Sequence, residues 1–164
     1  MEELETRVLQ PDDWALWRSI RLRSLAADPD AFGSTLEHEA VIDEDGWRAW
    51  LAEVGPRVVV VDGGEPVALG GGYLEDVAED RQRLHVIAMW TDPAYRGRRL
   101  AAQVLDALVK WAAPRGLGLA LDVAIGNVPA RRAYEAFGFV STGATRPIRY
   151  GSPALTEQMV LRRG

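Results

Sequence analysis

The fold is decided by residues 90–102, which read Trp-Thr-Asp-Pro-Ala-Tyr-Arg-Gly-Arg-Arg-Leu-Ala-Ala. The apolar residues that lead into this stretch predict a strand, its Arg- and Gly-rich centre predicts a tight turn, and Leu100 begins an amphipathic helix. The first N–H groups of a helix have no acceptor within the helix, and they lie at the positive end of its dipole. The segment therefore predicts a site for a cofactor that carries phosphate.

Length and composition set the limits of what the chain can be. Its 164 residues predict a single domain over residues 1–164, large enough to form a core without disulfides or metals. The sequence has no cysteine, which excludes thiol catalysis, zinc bound by thiolates and a disulfide framework. The acidic first residues and the lack of an apolar run of about 20 residues favour a cytoplasmic protein with no membrane partner.

The charge distribution favours a local anion site. The formal net charge is −5, yet arginines cluster at Arg96, Arg98 and Arg99 and again at Arg131 and Arg132. Proteins that bind nucleic acid usually carry a broad basic stripe, so we expect no nucleic-acid partner here. Charges solvated at helix ends are the alternative interpretation of any single arginine.

Hydrophobic periodicity predicts a mixed α/β architecture with the order βαα, βββ, αβ, αββ. Gly63-Gly64 separates two apolar strands, as in a β-hairpin. Two pairs of tryptophans, Trp14/Trp17 and Trp47/Trp50, have helical spacing, which favours core packing over a stacking platform for bases or sugars. The predicted strands are 4–10, 57–62, 66–74, 82–91, 119–124, one starting at 139, and 156–161; the predicted helices follow Pro11 and cover 43–54, 100–115 and 128–137, with an irregular segment from Ala31.

Two motifs in this order carry a family resemblance. Arg96-Gly-Arg-Arg-Leu-Ala101 is similar to the pattern (Arg/Gln)-x-x-Gly-x-(Gly/Ala), and residues 127–139 match Asn-x-x-Ala-x-x-x-Tyr-x-x-x-Gly-Phe. With the strands before them, these motifs resemble the GNAT superfamily of N-acetyltransferases, which use acetyl-coenzyme A. The resemblance implies a mixed, mostly antiparallel sheet of six to seven strands flanked by about four helices. It also implies acetyl transfer from acetyl-CoA to an amine.

The resemblance assigns cofactor contacts to two elements. The amides from Gly97 to Ala102 would hold the pyrophosphate, with arginine side chains assisting, and the strand at Met89 would splay from its neighbour to expose backbone groups. The Met89 N–H would then face the thioester carbonyl, and Thr91 the pantetheine amides. Core packing is the alternative for Met89 and Trp90, and helix capping for Asn127. The residues implied to contact the cofactor are Met89, Trp90, Thr91, Arg96, Gly97, Arg98, Arg99, Leu100, Ala101, Ala102, Asn127 and Tyr134.

Arg99 departs from the family pattern, because it stands where the pattern has its central glycine. An arginine at positive φ would cost on the order of 1–2 kcal/mol. We therefore expect a right-handed conformation at Arg99, with its N–H still available and its side chain adding a phosphate contact. A site with reduced cofactor affinity is the alternative.

The candidate catalytic residues are His85 and Tyr134. His85 lies four residues before Met89, where resembling enzymes place a carboxylate base, and an imidazole suits deprotonation of an amine directly or through water. A packed or surface histidine is the alternative, and Glu37 and Glu39 are rival bases. The resemblance makes Tyr134 the proton donor to the departing thiolate, whereas its apolar helix face also fits a core tyrosine. We expect His38 to be exposed, and the two histidines give no metal pattern.

The resulting functional prediction is acetyl transfer to a primary amine of a small molecule or a protein, by direct attack in a ternary complex. We expect the acceptor pocket to form from the first two helices, residues 32–41, Gly70-Gly71-Gly72 and the loop 141–153. A catalytically inactive acyl-CoA-binding regulatory protein is the main alternative. Another acyl donor, an RNA-binding module using residues 95–99, and a homodimer are also considered. The acidic composition favours cationic acceptors.

Overall fold

The computed structural model describes residues 3–162 and has one seven-stranded sheet. The strands are β1 Leu4–Val8, β2 Arg57–Asp62, β3 Glu65–Ala78, β4 Arg81–Thr91, β5 Gly118–Ala124, β6 Phe139–Pro147 and β7 Leu155–Leu161. The strand order is β1-β2-β3-β4-β5-β7-β6, and every neighbouring pair is antiparallel except β4 and β5. The predicted fold class is confirmed.

Within the described residues, five α-helices flank the sheet: α1 Trp14–Ala27, α2 Leu36–Ala40, α3 Glu44–Ala52, α4 Leu100–Ala112 and α5 Val128–Phe137. The short helix α2 lies inside the segment that was expected to be irregular. Thr35 caps it by accepting the His38 N–H, and five residues are too few to show a periodic pattern. Helix α4 also ends three residues before the predicted limit, where Ala113–Arg115 tighten into a 3-10 turn.

The sheet separates two groups of buried side chains. One face packs on α4 and α5 through Val58, Val60, Val104 and Leu108, among others. The opposite face, through Val59, Val61 and Leu69, packs on the tryptophans of α1 and α3. Trp17 and Trp47 are fully buried, which confirms the interpretation of the tryptophans as core residues.

Strands β4 and β5 pair over only part of their length. Their parallel ladder joins Arg83–Val86 to Gly118–Leu121 and goes no further in either strand. Just beyond it, β4 has a bulge, because Leu69 pairs with Trp90 and Gly71 with Ile87, so that two residues of β4 oppose Gly70. Ala88, within the bulge, has φ 62°. The strands therefore leave a gap between them at the C-terminal half of β4.

Candidate acetyl-CoA and acceptor site

A cavity of about 100 Å³ lies in the gap between β4 and β5. Its walls come from four parts of the chain: Val86, Ile87, Ala88 and Met89 of β4; Leu121, Asp122, Val123 and Ala124 of β5; Asn127, Ala130 and Tyr134 at α5; and Ala31 and Phe32 after α1. Of the residues predicted from the sequence to contact a cofactor, it brings together Met89, Asn127 and Tyr134. The expected separation of the two strands is present.

The loop before α4 presents a run of unused backbone donors. The Arg96 N–H donates to the Pro93 carbonyl at 3.4 Å, and the next backbone donor of this type is Gln103, to Arg99 at 3.2 Å. Between them, within the described residues 3–162, no N–H from Gly97 to Ala102 donates to a protein acceptor. Six consecutive free amides at a helix N-terminus fit a diphosphate, which offers several charged acceptor oxygens to one side.

The conformation predicted for Arg99 is wrong. The backbone of Arg99 is left-handed, with φ 60° and ψ 30°, and Arg99 occupies the N-cap position of α4. The left-handed residue turns the chain from the loop into the helix, and Leu100, which follows it, is buried in the core and holds the helix start in place. The strain is of order 1–2 kcal/mol for a non-glycine residue. The loop therefore keeps the backbone path that a glycine would give, and its amides stay exposed.

The arginine side chains of the loop have different surroundings. Arg96 donates to the Thr91 carbonyl and to Asp28, both at 3.0 Å, and the Trp90 indole N–H donates to the same carboxylate oxygen at 2.6 Å. Arg98 lies over the Tyr95 ring. Arg96 thus fastens the loop to the end of α1, whereas the exposed Arg99 makes no capping hydrogen bond.

Thr91 and Trp90 lie outside the cavity. The Thr91 carbonyl, expected to meet pantetheine amides, accepts from Arg96, and Trp90 is packed in the core beneath α1. Met89 fits both of its interpretations. Its side chain packs into the core beneath α4, next to Gly70, and Met89, within the bulge, also lines the cavity.

Tyr134 is buried and lines the cavity, with its ring edge-on to Phe139 at 5.9 Å between centroids. Burial raises its pKa to about 12, so the phenol keeps its proton at physiological pH. Asn127 caps α5 by accepting the Ala130 N–H at 3.3 Å and also lines the cavity. Capping and cavity contact are thus compatible at Asn127.

His85 is buried among charged groups, with 4% of its surface exposed. Its Nδ1 lies 3.3 Å from a Glu75 carboxylate oxygen and its Nε2 lies 3.6 Å from an Asp122 oxygen. Burial lowers the pKa of His85, and Arg146 adds to this effect, while Asp122 and Glu75 oppose it. The imidazole is therefore neutral near pH 7. His85 does not line the cavity, and its imidazole contacts Asp122, which does.

The two rival glutamate bases differ sharply. Glu39 is 3% exposed, and both its oxygens accept from Arg21 at 2.8 Å. This buried ion pair joins α1 to α2, and it occupies both oxygens of the Glu39 carboxylate. Glu37 and His38 are exposed, as expected for His38.

Two segments expected around the acceptor have different outcomes. Gly70, Gly71 and Gly72 are buried, and a Cβ on Gly71 or Gly72 would meet the side chains of Arg57 or Leu84. These glycines allow close packing of the sheet and do not line the cavity, and their place in an acceptor pocket stays a prediction. Of the predicted loop 141–153, residues 141–147 belong to strand β6. The remaining loop approaches the segment after α1, since Arg149 donates to the Phe32 carbonyl at 2.8 Å.

A comparison with family models decides the classification. The model described as the acetyltransferase (GNAT) family matches residues 17–139, three quarters of the chain. This chain belongs to the GNAT acetyltransferase family. No curated protein matches it.

Solved structures share the GNAT fold with this acetyltransferase at low identity. A GNAT-family acetyltransferase from Streptococcus pneumoniae is 18% identical, with a TM-score of 0.78 over 96% of this chain and 98% of that one. The structure of yncA from Salmonella typhimurium, with its cofactor acetyl-CoA, has 18% identity and a TM-score of 0.78 over 98% and 94%. The ribosomal-protein-alanine N-acetyltransferase from Brucella melitensis has 17% identity and a TM-score of 0.75 over 95% and 98%. Acetyl-CoA is the cosubstrate expected of this GNAT fold.

Sequence reasoning missed three charged residues of this GNAT site: Glu75, Asp122 and Arg146. The sequence does give a signal for Asp122, because it is an acidic residue within the apolar strand 119–124 and shares a face with Ala120. No sequence signal indicates Glu75 or Arg146, because their proximity to the site depends on the strand register.

No helix within residues 3–162 of this GNAT protein is long and apolar enough to cross a membrane. The described residues also hold no cluster of three metal-ligating side chains.

Proposed function

We propose that the protein is an N-acetyltransferase that moves an acetyl group from acetyl-CoA to a primary amine. One observation carries the proposal: the same strand, β4, borders a cavity lined by Tyr134 and then leads into six free amides at the start of α4. An anion site that follows a strand bordering a cleft with a buried proton donor suits a thioester cosubstrate that carries a diphosphate.

The residues that would hold acetyl-CoA are backbone groups. The amides of Gly97–Ala102 would bind the diphosphate, and the bulged backbone at Ala88 and Met89 would meet the acyl end, where an N–H aimed at the carbonyl oxygen stabilises developing charge. When bound, acetyl-CoA supplies an activated acetyl thioester. The absence of cysteine supports direct attack by the amine, since no acyl-cysteine can form.

Two side-chain systems would move protons. An aliphatic amine is mostly ammonium at neutral pH and must lose a proton before it attacks. Asp122 lies at the cavity and the neutral His85 lies 3.6 Å behind it, so we propose that the proton passes through Asp122 to His85 Nε2. An imidazolium there would lie between two carboxylates, which stabilise it. Tyr134, protonated at this pH, would donate to the leaving sulfur.

The test is turnover of acetyl-CoA with a panel of amines, comparing wild type with Tyr134→Phe. Removing the phenol should lower kcat about 100-fold, as expected for the loss of a general acid, while leaving acetyl-CoA affinity within a factor of about two. Tyr150→Phe is the control, since Tyr150 is fully exposed. Acetyl-CoA binding without turnover on any amine would favour the inactive regulatory alternative, and unchanged turnover in Tyr134→Phe would remove the proposed role of the phenol.

The cytoplasmic location, the single domain over residues 1–164 and a homodimer stay predictions. The continuous sheet supports the single domain. The acceptor, a small molecule or a protein amine, also stays a prediction.

A further inference from the structure

A line of charged side chains crosses one face of the sheet beyond the part that α1 and α3 cover. Tyr73 pairs with His85 and Glu75 pairs with Arg83 between β3 and β4, and His85 pairs with Ala120 of β5. Residues paired directly across strands, and residues two apart along one strand, share a face. Glu75, His85 and Asp122 therefore lie on the same face of the sheet, with His85 in contact with both carboxylates.

Arg146 completes this line from the edge of the sheet. It pairs with Thr156 of β7, which pairs with Ala124 of β5, two residues after Asp122. Its Nε donates to Asp122 Oδ2 at 2.7 Å, and its Nη2 donates to the same oxygen. The Thr156 hydroxyl donates to the Arg146 carbonyl at 3.2 Å and holds this part of β6 in place.

Asp122 is the charged residue that faces the reaction cavity. Among the described residues that line the cavity, no other side chain is charged. Asp122 is 16% exposed and half of the Arg146 side chain is in solvent, so the carboxylate is fixed in the sheet and its partner reaches it from outside. An ion pair of such an exposed arginine is weak, and another cation can replace it at small cost.

We propose that Asp122 anchors the ammonium group of the acceptor, and that Arg146 occupies this anchor in the free protein and is exchanged for the substrate cation. The inference rests on the proposed function and specifies its acceptor. The proposed acceptor is an alkylamine, which arrives protonated as an alkylammonium ion. It is preferred to an arylamine, which is neutral at pH 7.

The exchange would also prepare the proton acceptor. The charged or titratable groups that face His85 are Tyr73 and Glu75 of β3, Arg83 beside Glu75, Asp122 of β5 and Arg146 of β6. Of these, Arg146 disfavours a positive imidazole. Moving the guanidinium away when the acceptor arrives makes His85 a better base at the moment a proton must be taken up.

The test uses NMR, because the chain has two histidines, His38 and His85. Butylammonium chloride is titrated into the protein while the imidazole signals are followed, with the exposed His38 as the internal reference. In Arg146→Gln the butylammonium affinity reported by His85 should rise about fivefold over wild type, the strength of an exposed ion pair. Arg146→Lys restores a cation at Asp122 and should return the affinity to that of wild type. Arg48→Gln is the control, because Arg48 is a partly exposed arginine in ion pairs with carboxylates but lies on α3.

Equal butylammonium affinity in wild type and Arg146→Gln overturns the proposal, and so does a His85 signal that does not respond to the cation in either protein. Asp122→Asn should abolish the response in a variant whose circular dichroism matches wild type. Acetyl-CoA turnover is measured separately on the same samples: its absence in wild type contradicts the proposed function, whereas the order of the NMR affinities decides the inference.

Discussion

The backbone conformation of Arg99 differs from the one that its residue type predicts. A positive φ is costly for arginine, so the sequence favoured a right-handed turn, yet the chain adopts φ 60° there. The helix start is fixed by Leu100, which is buried in the core beneath α4, and by Arg96, which ties the loop to Asp28. These tertiary contacts outweigh a local cost of about 1–2 kcal/mol. The central glycine of the motif is therefore replaceable in this chain without loss of the free amides.

His85 predicts a pH dependence of stability. Burial lowers its pKa below the ordinary 6.5, so the unfolded state binds a proton more readily than the folded state. The stabilisation is complete above pH 6.5 and is lost as the pH falls through 6.5 towards the folded pKa, with a slope of up to about 1.4 kcal/mol per pH unit.

Urea unfolding between pH 5 and 8 measures this slope. His85→Gln should flatten it, and His38→Gln, at the exposed histidine, should leave it as in wild type. Carboxyl groups with lowered pKa values, such as Glu75 and Glu157, affect the stability below pH 4.5, outside the pH range of this experiment. A slope that persists in His85→Gln would contradict the assignment.

At the scale of elements, α2 is held by a buried ion pair. Glu39 binds Arg21 of α1 through both oxygens, and the Arg21 guanidinium also lies over the Phe32 ring. Removing the carboxylate leaves a buried arginine without its partner, so Glu39→Ala should lower the free energy of unfolding by about 3–5 kcal/mol.

Glu37→Ala is the matched control, because Glu37 is exposed on the same helix. It should change the free energy of unfolding by less than about 0.5 kcal/mol and should also leave turnover unchanged. Denaturant titration gives both values. Loss of turnover in Glu37→Ala with full stability would restore Glu37 as a base.

Elements with a strong local pattern were predictable from the sequence. The Gly63-Gly64 turn, α5 after Asn127 and the start of α4 at Leu100 are present as expected. The five-residue helix α2 has too few positions for a period to show. The charged line through Asp122 and Arg146 was not predictable, because it depends on pairing between strands that are distant in sequence.

At the scale of the molecule, the site arises from the way the sheet is assembled. β4 and β5 are each ordinary strands, and the cavity exists because their parallel ladder ends at Val86 and Leu121. β4 then leads through Asp92 and the 3-10 turn at Pro93–Tyr95 into the loop of free amides. The sheet therefore sets the distance between the cavity and the anion site, and a ligand that spans both must enter the gap and reach the start of α4.

Calorimetric titration of acetyl-CoA into wild type and Ala101→Pro tests this account most directly. Proline at the second position of α4 removes one free N–H, and helix α5 already has Pro129 at the same position. We predict one-to-one binding by wild type and an affinity about 10- to 100-fold lower in Ala101→Pro, the strength of a hydrogen bond to a charged group. Asp45→Pro, at the second position of α3, should bind as wild type does. No binding by wild type, or equal affinity in a folded Ala101→Pro, would contradict the assignment of the loop to acetyl-CoA.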